Sequence, residues 1–170
     1  MKTFKIDGVY CRLIPLTKGM YSIVSEADFD WLNQWKWTAR SNSWGSFYAS
    51  RGQRIPGTNK IIRIQMHRLI LGLEQGDPIQ ADHRNGVTLD NRRENLRRAT
   101  NAQNRRNSRK NKENQCGFKG VYLYKGRYRA HITIDGKKIS LGWRSTAREA
   151  YEELYVPAAI KNFGEFARLS

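Results

Sequence analysis

The chain has 170 residues, 31 of them Lys or Arg against 15 Asp or Glu, for a formal net charge of +16. That balance points to a polyanionic partner, nucleic acid first, and the length suits one domain or two small ones with real cores. No apolar run approaches the roughly 18 residues of a membrane-spanning helix, and the opening MKTFKIDGVYCRL lacks the apolar stretch and cleavage site of a secretory signal.

Residues 2–16 carry short apolar patches around Gly8 and Pro15 and read as short strands and turns. The only cysteines, Cys11 and Cys116, form no C-x-x-C, which fits a reducing cytosol and gives no structural zinc knuckle. Ser25 with Asp28 predicts a capped helix through Leu32. Trp31, Trp35, Trp37 and Trp44, with Phe47 and Tyr48, read as the core of a small domain in preference to a base-stacking platform. Residues 51–60 are basic and rich in turn formers, an expected exposed loop near phosphate. Residues 61–66 alternate as a strand and lead into a short buried helix containing Leu69, Ile70 and Leu71. His67 either approaches the functional site or packs beneath it, and is not counted as a ligand.

Residues 82–104 read DHRNGVTLDNRRENLRRATNAQN. Asn85-Gly86 is a tight-turn signal, Asp90-Asn91 marks a second reversal, and Thr100 with Gln103 is a capping-box pattern that predicts a helix. Asp82 and His83 close a short strand over residues 79–81. A hairpin followed by a helix gathers Asp82, His83, Asn95 and Asn104. The Asp82 carboxylate and the Asn104 amide are hard oxygen ligands suited to magnesium, which keeps several waters. His83 beside them can take a proton from water near neutral pH. Eleven Lys or Arg against three acids lie between residues 84 and 119. Arg92, Arg93, Arg97 and Arg98 fall inside the motif and are expected at phosphate. Arg105, Arg106, Arg109 and Lys110 follow in a stretch without apolar periodicity, an expected linker that tracks the DNA backbone.

Beyond residue 117 three strands are predicted at residues 121–124, 127–134 and 137–143, joined at Lys125-Gly126 and Asp135-Gly136. Thr146 and Glu149 form a capping box that opens an amphipathic helix with Ala147, Ala150, Tyr151 and Leu154 inward. Pro157 predicts an interruption of that helix. Strand alternation turns Val121, Leu123, Tyr128, Ala130, Ile132, Ile134, Ile139, Leu141 and Trp143 toward the helix. It leaves Tyr122, Tyr124, Arg127, Arg129, His131, Lys138 and Arg144 on an opposite face that can enter a major groove.

The order His83, Asn95, Asn104, with MHRLI (residues 66–70), ADH (81–83) and LDNRRENLR (89–97), resembles the HNH (ββα-metal) nucleases, in particular the phage and intron-encoded homing endonucleases whose final His is replaced by Asn. PLTKGMYSIV and DFDWLNQWKW look like the lead-in that often precedes this hairpin. The resemblance implies Asp82 and Asn104 as metal ligands, His83 as general base, and Asn95 as the residue that orients His83 or holds the loop. It also implies one Mg2+ or Mn2+ per active site, with no zinc. GFKGV (117–121), GRYRAHI (126–132), LGW (141–143) and YVPAAIKNFGEFA (155–167) resemble the AP2 DNA-binding domain, which implies Arg127, Arg129 and Arg144 as DNA contacts. Tyr128 stands where that family usually has Trp.

The expected fold is α+β: a ββα-metal HNH domain with its lead-in over residues 1–105, a basic linker over 106–116, and an AP2-like three-stranded antiparallel sheet with one helix over 117–170. The expected function is a metal-dependent, site-specific DNA endonuclease that nicks as a monomer in the cytoplasm of a bacterial or phage-infected cell. Its partner is double-stranded DNA, with no membrane and no obligate protein partner. The alternative is a DNA-binding regulator with an inactive nuclease site.

Overall fold

The structure, a computed structural model, describes residues 3–108, 110 and 113–169. It forms two compact units, Met1–Thr100 and Asn101–Ser170, each with its own buried apolar cluster. Both units are mixed α and β, with small antiparallel sheets and few helices. No helix among the described residues is long and apolar enough to cross a membrane.

The first unit opens with an antiparallel sheet, β1 (Phe4–Ile6), β2 (Val9–Pro15) and β3 (Tyr21–Ser25), followed directly by α1 (Glu26–Asn33). Ser25 is the N-cap of α1 but makes no side-chain capping bond. Its hydroxyl instead accepts Arg93 N–H at 2.9 Å and donates to Glu94 Oε2 at 3.1 Å. The expected local cap is thus replaced by a tertiary tie, because a long-range partner competes for the same hydroxyl. A second antiparallel sheet comprises β4 (Thr38–Ser41), β5 (Phe47–Arg54) and β6 (Ile61–Gln65). Pairing of Arg54 with Ile61 extends β5 into the segment expected to be a loop, so only residues 55–60 turn. After α2 (Met66–Ile70) comes a two-stranded ribbon of β7 (Gln80–His83) and β8 (Leu96–Ala99).

One apolar cluster joins these elements, with Val24 of β3, Leu32 of α1, Trp37, Ala49 of β5, Met66 of α2 and Leu96 of β8 among its members. Trp37 is only 2% exposed, and Trp31, Trp35 and Trp37 meet edge to face in sequence at 6.1 and 6.3 Å. Two of the indole N–H groups are bonded, with Trp37 Nε1 donating to Leu32 O and Trp31 Nε1 to Asp28 Oδ1. The core reading holds for these three. Trp44 differs, being 76% exposed.

In the second unit α3 (Asn101–Arg106) begins directly after Thr100. Arg106 stacks on Phe163 at 4.7 Å and pairs with Asp135 at 3.5 Å. The sheet is β9 (Val121–Tyr124), β10 (Arg127–Ile134) and β11 (Lys137–Arg144), with β10 central. Both hairpin turns carry positive φ at each central residue (Lys125 48°, Gly126 77°; Asp135 49°, Gly136 79°), which matches the right-handed strand twist. The capping box of Thr146 and Glu149 is present and opens α4 (Ala147–Glu149). A π-helical segment Ala150–Tyr155 and then α5 (Val156–Phe163) follow. The interruption expected at Pro157 does not occur. Val156 N–H bonds five residues back to Tyr151 O, and this widened turn precedes Pro157, which sits in the first turn of α5.

Val121, Ala130 and Ile132 of the sheet pack under Ala150, Tyr151, Tyr155, Ala159 and Phe163. Gly120 marks where that packing closes: its φ is +74°, and a Cβ there would run into the Tyr155 ring and lie 2.7 Å from His131 O. Gly120→Ala is expected to destabilise the second unit by about 1–3 kcal/mol from overpacking, plus the cost of positive φ. The midpoint of denaturant unfolding, followed by far-UV circular dichroism, checks this. An unchanged midpoint would mean that the ring moves aside freely.

Candidate active site

The ribbon β7–β8 places Asp82 opposite Arg97 and His83 opposite Leu96. Asp82, His83 and Asn95 are all at most 6% exposed, so this hairpin brings the three together in a nearly dry setting. Gly86 N–H closes the turn on His83 O at 2.8 Å, with φ +68° at Gly86 alone of the Asn85-Gly86 pair. Asn85 works through its side chain, accepting Val87 N–H and donating to Asp90 Oδ2, each at 2.8 Å.

Asn95 holds this loop. Its Oδ1 accepts Asn85 N–H at 3.0 Å and its Nδ2 donates to Asp90 O at 2.7 Å. Of the two roles implied for it, these bonds serve the loop. The bond to the imidazole comes from Asn91, whose Oδ1 lies 3.0 Å from His83 Nε2. Asn91 is fully buried, and the sequence points to it only as part of a turn and not as a partner of the imidazole, because a contact between positions 83 and 91 leaves no periodic signal. Asp90 N–H closes a turn on Val87 O at 3.0 Å, and the Asp90-Asn91 step is also a docking point, with Asp90 bridging to Ile23 and Asn91 N–H donating to Ile23 O at 2.8 Å.

Two rings pack near the His83 imidazole. His67 of α2 lies 5.1 Å from His83 and 5.4 Å from Tyr48 of β5, and Tyr48 lies 6.2 Å from His83. His67 therefore both packs and reaches the site. Burial, with His83 and Arg68 adding repulsion, pushes its pKa down to about 3. Burial also lowers the pKa of His83, against opposing contributions from Asn91, Asp82 and Asp90. It raises the Tyr48 phenol, with Asp82 adding to the effect. Both imidazoles are accordingly neutral at neutral pH, and a neutral imidazole can accept a proton.

The motif arginines divide. Arg92 is 7% exposed and grips Asp90 with Nε and Nη2, both at 2.8 Å. Burial alone would raise the Asp90 carboxyl, but hydrogen bonds from Arg92 and Asn85 outweigh it and hold the pKa low. Arg97 is 6% exposed and donates from Nε to Asp82 Oδ2 at 2.7 Å. Arg92 and Arg97, expected at DNA phosphate, are therefore internal, because a guanidinium taken out of water is tolerable only beside a carboxylate. Arg93 holds the buried Asp28 with Nε and Nη2 at 2.7 Å, although its side chain is 52% exposed. Arg98 is exposed and donates to Leu71 O at 2.8 Å. Asn104 and Arg105 lie on α3, within the second unit. Lys110 is exposed, and Arg109 lies outside the described residues.

On the second unit's sheet, Arg129 pairs with Trp143 and Tyr122, His131 with Ser140, and Lys138 with Thr133. Arg129 stacks over Trp143 at 5.0 Å and donates to Ser140 Oγ at 3.0 Å. Lys138 lies over Tyr122, whose ring meets His131 edge-on at 5.0 Å. Burial, with Lys138 and Arg129 nearby, pushes His131 down to about 4. Tyr124, Lys125, Arg127 and Trp143 line an open hollow of about 240 Å³. One expected member is on the other side. The register slips between Ala130 and His131, and Gly142 takes φ +126°, so the alternation of β11 inverts after Ser140. Trp143 joins the basic face, and Arg144 turns to the helix, where its Nε donates to Glu153 Oε2 at 2.6 Å.

The buried His67 gives a stability prediction. It stays neutral in the folded chain down to about pH 3, whereas an ordinary imidazole titrates near 6.5. Between those values the unfolded state binds more protons, so stability falls as pH falls. His67→Phe is expected to flatten that loss over the same window, measured as unfolding free energy against pH. Equal slopes for both proteins would remove His67 as the cause.

Among the described residues, no three His, Cys, Asp or Glu side chains cluster closely enough to hold a metal ion by themselves. A cation at Asp82 would therefore draw on amide and water oxygens as well, the donor set of a hard ion that keeps its waters. Comparison with curated proteins and with solved structures gave no match. Residues 65–106, from the last residue of β6 to the end of α3, match the family model described as HNH endonuclease, which supports a nuclease.

Proposed function

We propose that this chain is a metal-dependent, site-specific DNA endonuclease of the homing type, which nicks double-stranded DNA as a monomer in the cytoplasm. The observation that carries this reading is the neutral, buried His83 directly beside the Asp82 carboxylate, inside the segment that matches the HNH endonuclease family.

In this reading Asp82 and the Asn104 amide, both within the matched segment, hold one Mg2+ or Mn2+. When bound, such an ion acts as a Lewis acid that offsets charge on the phosphate and on the leaving oxygen. His83 takes a proton from water, the water oxygen bonds to phosphorus in line, and the bond from phosphorus to the 3′ oxygen breaks. Arg93 and Arg98 keep the exposure needed to reach a phosphate. Asn95 keeps the loop between β7 and β8 in shape through its bonds to Asn85 N–H and Asp90 O.

The second unit is the DNA reader in this account, with an AP2-like sheet that presents Tyr122, Tyr124, Arg127, Arg129, His131, Lys138 and Trp143. Arg105, Arg106 and Lys110 serve the backbone, Arg106 with its guanidinium already engaged by Phe163 and Asp135. A second reading is a DNA-binding regulator whose nuclease site is silent. The buried pairing of Arg97 with Asp82 favours it, since a guanidinium already occupies one carboxylate oxygen.

A cutting assay decides between them. Supercoiled plasmid carrying the target should be nicked with Mg2+, and chelation, Asp82→Ala or His83→Ala should each abolish nicking while DNA affinity changes less than about tenfold, or about 1.4 kcal/mol. Wild-type rates from His83→Ala would remove the general base, and no cutting by the wild type on any DNA would favour the regulator. Because burial keeps His83 neutral further into acid, the fall in rate should lie below pH 6.5, the ordinary imidazole value. On the sheet, Arg129→Ala should weaken target binding by about 1–3 kcal/mol and relax one base position. Arg144→Ala removes only a half-exposed pair worth about 0.2–1 kcal/mol and should leave binding unchanged. Equal losses from both substitutions in binding titrations would contradict the assignment of faces.

A further inference from the structure

Around His83 the hydrogen-bond partners settle a question that side-chain positions alone leave open, namely which imidazole nitrogen carries the proton. Asn91 lies between His83 Nε2 and Ser22 of β3, with Oδ1 3.0 Å from the imidazole and Nδ2 2.8 Å from Ser22 Oγ. An amide has a donor end and an acceptor end, so the groups around it dictate its orientation. Ser22 Oγ lies 3.2 Å from Leu89 O and 3.2 Å from Met66 Sδ, and both of those atoms can only accept. The single hydroxyl proton of Ser22 is therefore committed to one of them, and its oxygen must accept from Asn91. Met66 Sδ also lies 3.5 Å from Asn91 Nδ2, a second acceptor at the donor end. The amide nitrogen thus points at Ser22 and Met66, and the amide oxygen points at His83. Ser22, Met66 and Asn91 are each fully buried, so water does not blur the choice.

We infer that Asn91, held by Ser22 and Met66, is the positioning residue of the candidate active site: it keeps His83 in the Nε2–H tautomer, so that Nδ1 is the atom that accepts the proton of the attacking water. The inference rests on the nuclease reading for its consequence in catalysis, while the tautomer itself is a property of the folded chain. It also gives the lead-in a task in the chemistry. Ser22 lies on β3, whose neighbour Ile23 accepts from Asn91 N–H and donates to Leu89 O at 2.9 Å, so the strand sets both ends of the relay. Asn95, the asparagine of the motif, has its amide committed to the loop and takes no part in choosing the tautomer.

The test is nitrogen-15 NMR of the full-length chain labelled at histidine, recorded near pH 8, where an imidazole is neutral. The chain has only three histidines, and the His83→Ala spectrum identifies the His83 signals. Wild-type His83 is expected as a single Nε2–H tautomer, and an Nδ1–H tautomer would overturn the inference without any variant. Asn91→Leu should lose the fixed tautomer and lower strand cleavage by roughly 10–100-fold, as removal of an outer hydrogen-bond partner does, with DNA affinity unchanged. A folded Asn91→Leu protein with the wild-type tautomer and rate would overturn it. Ser22→Ala is the milder variant should Asn91→Leu not fold. It leaves both rings and the amide in place, and is expected to broaden or split the His83 signals and slow cleavage. Unchanged spectra and rates for Ser22→Ala would overturn the relay. If the wild type cuts nothing while the tautomer behaves as expected, the nuclease reading fails and the positioning of His83 stands.

Discussion

Polar groups inside a small core must find partners, and the segment from His83 to Asn95 carries more of them than its own backbone can satisfy. Asp90, Asn91, Arg92 and Asn95 are each at most 7% exposed. Asp90 and Asn95 are satisfied within the loop, whereas Asn91 and Arg92 also reach the lead-in: Ile23 O for Asn91 N–H, Ser22 Oγ for the Asn91 amide, and Ile6 O with Asp7 for Arg92. Arg93 adds Asp28 and Ser25. An unpaired buried charge or amide costs several times what a typical hydrogen bond contributes, so the loop has one acceptable place to sit. The first unit is therefore a single cooperative body, in which β1–β3 and α1 shape the hairpin that bears the candidate site.

The dryness that enforces this pairing also sets the chemistry. His83 is buried among His67, Tyr48 and Asn91, none of which is charged near neutral pH. Desolvation disfavours the imidazolium, so the ring remains a proton acceptor where an exposed histidine would begin to protonate. Asp82 opposes this from the neighbouring position but does not reverse it. The Asp82–Arg97 pair shows the same logic from the other side. A carboxylate this buried stays compensated through Arg97, which the ribbon register places directly across from it.

How far the sequence carried the structure depended on whether the signal was local. The second unit's strands were legible almost to the residue, because Lys125-Gly126 and Asp135-Gly136 fix two-residue turns and alternation does the rest. Alternation failed at one point, the slip at Gly142, which exchanged Arg144 for Trp143 on the basic face. A bulge is set by packing against the helix as much as by composition, and a glycine within a strand is only a weak sign of it. In the first unit, motif spacing found Asp82, His83 and Asn95 together on one hairpin. It could not find Asn91, whose role depends on Ser22 some seventy positions away. Nor could it sort the arginines, since one side chain type serves both a buried pair and a phosphate contact. Pro157 misled for a related reason: helix propensity assumes regular turns, and the π-helical segment before it is not one.

Net charge therefore overstates the surface available to a polyanion. Three of the fifteen acids, Asp28, Asp82 and Asp90, are at most 4% exposed, and each is held by one arginine at 2.7–2.8 Å. Those arginines, Arg93, Arg97 and Arg92, come from a densely basic part of the sequence, yet their charge is neutralised where it stands. Without the aspartates, guanidiniums this close in sequence would repel one another inside a medium that screens them poorly. With the aspartates, the same run can form a compact hairpin, and the outward-facing charge passes to residues such as Arg98 and, on the second unit, Arg127 and Arg129. The acids of this basic chain are what allow its arginines to be packed so densely beside the candidate active site.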